Sequence, residues 1–156
     1  MSDESWRGKV GGLATDEIER FLAESHLARL ACNDHSGWPY VVPVWHEWSD
    51  GSFFVIPRER SAWAQFLRDE PRCALTIDEE GTLRKVIAQC EADCVETPNV
   101  GGAWVPIAER MSTRYLGPNG PKYLEPTLDK PRWLFQLRPV RTWTWQGVDW
   151  APRYRN

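Results

Sequence analysis

The chain has 156 residues, a length that suits one domain with a sizeable core. Charged residues make up 26% and the formal net charge is −3, with 15 Arg and 4 Lys spread along the chain in no basic block, which argues against nucleic acid as a partner. No apolar run approaches a membrane span, and the N-terminal "MSDESWRGKVGG" lacks the apolar core of a signal peptide, so the expected location is the cytoplasm, away from membranes.

Residues 1–13 read as an N-terminal tail. The spacing predicts a helix over 15–25: Thr15 can cap it, acidic residues fill its first turn, and Ile18, Phe21 and Leu22 form one apolar stripe. Turn signals at Asp34-His35-Ser36-Gly37 and Ser49-Asp50-Gly51 then divide the next stretch into strand-like runs at 27–32, 40–48 and 53–56, an antiparallel meander. Pro43 inside the second run marks a sheet edge or a bulge. Residues 61–69 read as a short helix stopped by Pro71, and 72–78 return as a strand ending at a Glu80-Gly81 turn.

In "KVIAQCEADCVE" the apolar positions alternate, with Val86, Ala88, Cys90, Ala92 and Cys94 on one face, so 85–96 form a half-buried strand. Residues 97–106 look like a linker and 106–115 like a helix closed by Gly117. The Pro/Gly-rich 117–131 reads as an ordered loop or lid. Two strands interrupted at Pro139 end the fold, followed by a tail from 147 to 156. Six or seven strands with interposed helices and no βαβ alternation describe a mostly-β barrel with α additions, one domain over 1–156.

Cys32, Cys73, Cys90 and Cys94 match no zinc pattern and no CxxC pair; in a reducing compartment they are expected to be buried free thiols, with no metal site. Ten tryptophans suit a dimer interface, a flat aromatic ligand, or simply the core.

The segment "VIPRERSAWAQFLRDEPRCAL" hands a strand to a helix through Arg58, Arg60 and Ser61. Unpaired backbone N–H groups and partial positive charge at a helix start favour an anion, Ser61 can cap or donate, and guanidiniums clamp phosphate oxygens. The alternative is a solvated loop whose arginines pair with Glu59 or Asp69. No catalytic triad is visible; His46, with an ordinary pKa near neutrality, is the candidate proton donor, against a plain strand histidine between two tryptophans. His26 and His35 read as structural or solvated, and Tyr115 and Tyr123 border the expected lid.

In their order and wording, "FLAESHLARLACNDHSGWPYVVPVWHEW", "FFVIPRERSAWAQFLRDEPRCALTID", "VIAQCEADCVE" and "WLFQLRPVRTWTW" resemble the pyridoxamine 5′-phosphate oxidase-like, FMN-binding split-barrel superfamily over roughly residues 18–145. The resemblance implies a six-stranded antiparallel split barrel with short flanking helices, forming a homodimer with cofactor sites at the subunit interface. It puts the flavin phosphate against Arg58, Arg60 and Ser61. The ring would lie along Val42, Pro43, Val44 and Trp45 and the strand ending at Ile56. Trp143 and Trp145 would cross from the partner to cover it, with Trp45, His46 and Trp48 walling the substrate side.

One position departs from the pattern. Where the family reads Ser-Arg-Lys, this chain has Ser61-Ala62-Trp63, and a lost charge-assisted contact costs about 1.5–3 kcal/mol unless Trp63 compensates by stacking on the ligand. The absence of the oxidase's substrate-binding arginine pattern makes the chain more similar to FMN- or deazaflavin-using reductases. The expected function is therefore an FMN-dependent oxidoreductase reducing a small planar conjugated or aromatic substrate. The alternatives are a deazaflavin (coenzyme F420) reductase, or a non-catalytic binder of haem or flavin.

Overall fold

The computed structural model describes residues 4–149. A 3-10 turn at Glu4–Arg7 precedes α1 (Thr15–Leu22), then come β1 (Ala28–Asn33), β2 (Pro39–Val44), β3 (Glu47–Ser49), β4 (Ser52–Val55), α2 (Ala62–Asp69), β5 (Arg72–Asp78), β6 (Lys85–Asn99), α3 (Trp104–Leu116), α4 (Gly120–Leu124) and β7 (Arg132–Trp145). The seven strands form one antiparallel sheet in the order β2-β1-β5-β6-β7-β4-β3. No pairing joins the outer strands β2 and β3 among the described residues, so the sheet curls without closing. It is a mostly-β split barrel, with seven paired strands where six were expected.

Alternation along the strands builds the main core. Leu30 of β1, Leu75 and Ile77 of β5, Val86 and Ala88 of β6 and Phe135 and Leu137 of β7 are nearly inaccessible to solvent and pack in one cluster. α1 adds Phe21 and Leu22 to it, each burial contributing about 2–3 kcal/mol. The helix is shorter than 15–25, and Thr15 is its first helical residue; extended Ala14 takes the cap position, its N–H reaching the Glu17 carboxylate at 3.5 Å. The tail expected over 1–13 is docked where described: Leu13 joins the core and Gly11 bridges Gln146.

Long-range pairing decides the other departures. The run 40–48 breaks at Trp45-His46 because β2 pairs with β1 while β3 turns back on β4. Pro43 lies on the outermost strand, whose free side needs no N–H donor. β6 continues through Thr97–Asn99, expected as linker, because the start of β7 pairs alongside it across two register shifts. β7 is one strand and not two: beside Pro139 an extra residue, Val140, bulges out between the Gln89 and Cys90 pairings.

The segment 117–131 is no open loop. It forms a 3-10 turn at Gly117–Asn119, then α4, then a 3-10 turn at Glu125–Thr127, each with a proline in its first positions, where the missing N–H is no loss. Together with α3, which begins at Trp104, it covers a second, smaller core of Trp104, Ala108, Leu124 and Leu134. α3 is held to the barrel by Arg110, bidentate to Glu47 at 2.7 and 3.0 Å, and by the Tyr115 hydroxyl. That hydroxyl donates to the His26 carbonyl at 2.8 Å and accepts from the His46 N–H at 3.3 Å. No helix of the described residues is long and apolar enough to cross a membrane.

Candidate functional site

The two cores leave a cavity of about 280 Å³ between them. The end of β2 supplies Pro43 and Val44, followed by Trp45; the segment after β4 supplies Ile56, Pro57 and Arg58; Ser61 and Trp63 come from the start of α2. α3 contributes Ala108, Met111 and Ser112, α4 Tyr123 and Leu124, and β7 its first residue, Arg132. The aromatic wall is fixed by its own packing: Trp45 stacks on Tyr115 with ring centres 4.9 Å apart and planes 8° apart, and leans on Tyr123.

The polar end is built by the backbone. The turn after β4 bridges the start of β7, with Arg58 directly opposite Arg132. Glu59 N–H donates to the Pro131 carbonyl at 3.2 Å, and Trp133 N–H to the Pro57 carbonyl at 3.0 Å. Ser61 occupies the cap of α2 in an extended conformation, yet its hydroxyl makes no capping bond. Neither Arg58 nor Arg60 forms an ion pair with Glu59 or Asp69; Asp69 is held by Arg68 at 3.0 Å and His35 at 2.9 Å. Arg58, the Ser61 hydroxyl and a helix start therefore stand together, and among the described residues no carboxylate forms an ion pair with Arg58.

Of the residues singled out in the sequence, Pro43, Val44, Trp45, Ile56, Arg58, Ser61 and Trp63 line this cavity. Val42 is half-buried and packs against the main core instead, and Arg60 is exposed outside the cavity. Trp143 and Trp145 lie far along β7, opposite Ile87 and Lys85. Eleven residues separate Trp143 from Arg132, on the order of 35 Å of strand, so neither indole reaches the cavity of its own chain. Trp48 binds the Glu19 carboxylate through its ring N–H at 2.7 Å and packs on Phe53.

His46 is completely buried and does not line the cavity; among the described residues no side chain partners its ring nitrogens, and only the His26 backbone lies near enough to favour the charged ring. Burial, with the nearby Arg114 charge, pushes its pKa down to about 4, so the ring is neutral at physiological pH. The ring expected as proton donor thus stands outside the lining of this cavity. Glu24, His26 and Glu79 gather within ligand distance of one another, but Arg84 binds both carboxylates.

Sequence reasoning missed Arg132, Met111, Ser112 and Leu124. The one available signal was an arginine opening an otherwise apolar strand, "RWLFQL". Buried arginines normally bring a carboxylate with them, and none pairs with this one among the described residues.

The family described as pyridoxamine 5′-phosphate oxidase matches residues 14–146. Among solved structures, an FAD-binding protein from Mesorhizobium loti is similar at a TM-score of 0.64 and 18% identity, covering 90% of this chain and 98% of that one. The haem storage protein HutZ from Vibrio cholerae is similar at 0.66 and 19%, covering 84% and 94%. An F420 reductase is similar at 0.61 and 18%, covering 80% and 94%. No curated protein matches the sequence. A family match across most of the chain, on a split barrel of the same architecture, makes this protein a member of the pyridoxamine 5′-phosphate oxidase family.

Proposed function

We propose that the protein is an FMN-dependent oxidoreductase acting on a small conjugated or aromatic substrate, with the flavin phosphate held at Arg58 and Ser61. The observation that carries this reading is the polar end of the cavity: a guanidinium without a protein anion and a hydroxyl without a capping bond, at the mouth of an apolar, aromatic-walled space. An anion fits those groups, and a planar ring fits the wall of Val44, Trp45, Ile56 and Trp63.

The flavin, when bound, supplies the two-electron chemistry. The chain's part is to anchor the phosphate, orient the ring along β2 and exclude water with α3 and α4. At about 280 Å³ the cavity falls just below the roughly 300–1,000 Å³ typical of ligand pockets. That supports a site completed by a second copy of the chain, in which Trp143 and Trp145 of the partner cover the ring. Four free cysteines accord with a reducing, cytoplasmic setting.

A deazaflavin coenzyme carries a phosphodiester in the corresponding place on a similar ring, and is the second reading on the same observation. Haem would need an axial ligand, and the lining residues offer Met111 and Tyr123 but no histidine.

The test is an equilibrium titration in phosphate-free buffer, following tryptophan quenching. FMN should bind at least tenfold more tightly than riboflavin, and Arg58→Met should abolish that difference. Equal affinities for FMN and riboflavin in the wild type would show that the phosphate is misplaced, and failure to bind FMN, the deazaflavin coenzyme or haem would remove the reading altogether.

A further inference from the structure

We infer that Arg132 is a second anion-binding residue of this cavity, closing with Arg58 on one phosphate from the opposite strand. The inference rests on the phosphate placement proposed above, and extends it to a residue that neither the turn at 58–61 nor the start of α2 contains.

Arg132 is 8% exposed, and no carboxylate pairs with it among the described residues. Its Nη2 donates to the Thr127 hydroxyl at 3.0 Å, its guanidinium lies 5.6 Å from the centre of the Trp104 ring, and its Nε has no hydrogen-bond partner among the described residues. One hydroxyl and one aromatic face are a thin complement for a buried cation, which ordinarily demands an ion pair. Its backbone, moreover, is directly opposite Arg58. Residues opposed in this way present their side chains on the same face of the pair, where like charges repel. Burial, and then the Arg58 charge, push the Arg132 pKa down.

Nothing local forces this arrangement. Trp133, the next residue, is anchored in the core with its ring N–H on the Glu59 carbonyl at 3.2 Å, so the strand start would be fixed with any side chain at 132. Two facing guanidiniums without an acid are destabilising in the free protein and become favourable once an anion lies between them. Trp63, at the position where the family pattern leads one to expect a lysine, lines the same cavity. The cation missing from the helix is thus matched by one arriving from β7. The ligand chemistry is a phosphate monoester, and a phosphate dianion can accept from both guanidiniums at once.

The experiment compares wild type, Arg132→Met and Arg132→Lys in two measurements: thermal melting with and without inorganic phosphate, and titration with FMN and riboflavin. Phosphate is expected to raise the wild-type melting temperature and to leave that of Arg132→Met unmoved. Without phosphate, Arg132→Met should melt at or above wild type, since a buried charge without a counter-ion is gone. FMN affinity should fall at least tenfold in Arg132→Met and about threefold or more in Arg132→Lys, which cannot bind bidentately, while riboflavin affinity holds in both. A merely structural arginine would lower melting temperatures and leave the FMN-to-riboflavin ratio intact in Arg132→Lys, and that result overturns the inference even if Arg132→Met does not fold. Should wild type bind FMN no better than riboflavin while its phosphate response still depends on Arg132, the anion site stands and the flavin reading falls.

Discussion

Replacing His46 by leucine should remove most of a specific acid sensitivity of the fold. The ring is fully buried, no side chain among the described residues partners its nitrogens, and its edge meets Phe53 with centres 5.6 Å apart. Burial and then the Arg114 charge oppose an imidazolium there, and the His26 backbone hydrogen bond that favours one is the smaller effect. The folded pKa of about 4 is below the ordinary 6.5, so the unfolded chain takes up a proton first as pH falls. The neutral ring's contribution is complete above pH 6.5 and is lost progressively towards pH 4. Between pH 7.5 and 4.5 the linkage amounts to about 2–3 kcal/mol. The Tyr115 bond to the backbone N–H of residue 46 survives the substitution, and the His26 carbonyl keeps the Tyr115 hydroxyl as its donor, so no backbone group is orphaned. The assay is urea unfolding of wild type and His46→Leu at both pH values. The difference in unfolding free energy should move by about 2–3 kcal/mol in favour of the variant at pH 4.5. A pH-independent difference would mean that His46 is solvated or paired, and the burial argument would be wrong.

Two further outcomes follow from packing. A Cβ at Gly120 would come within 2.6 Å of the Ser112 carbonyl carbon and the Thr113 nitrogen, so Gly120→Ala must push α4 off α3 at a cost of about 1–3 kcal/mol; calorimetry should show a lower melting temperature, and an unchanged one would contradict the close approach. Of the cysteines, only Cys94 is exposed, while burial raises the thiol pKa values of Cys32, Cys73 and Cys90, the last to about 12. Native alkylation followed by mass spectrometry should find one label on Cys94 and four labels after unfolding; rapid native modification of Cys73 would refute the packing of β5 on β6.

The strands were legible because their alternation is local: 85–96 and 72–78 display in sequence the faces they bury. What escaped depends on distant partners. Whether Thr97–Asn99 continue a strand is decided by the start of β7, more than thirty residues later, and nothing in "TPN" announces it. The prolines of 117–131 suggested a loop because proline ends helices, yet at Pro118, Pro121 and Pro126 it stands where helices begin. The same division runs through the site. Arg58, Ser61 and Trp63 are close in sequence and could be read together, whereas Arg132 joins them only through the bridge between the turn and β7. Cys94 shares the alternating face of Cys90 but is exposed, because the sheet shifts register just beyond it. His46 falls between β2 and β3, at a break that carries it into the core.

The most direct trial of the site is a crystal structure of the protein with FMN. The phosphate should lie within about 3.2 Å of the Arg58 guanidinium and the Ser61 hydroxyl, with the ring against Val44 and Trp45. A phosphate bound elsewhere, with Arg58 turned towards a carboxylate of its own chain, would contradict it.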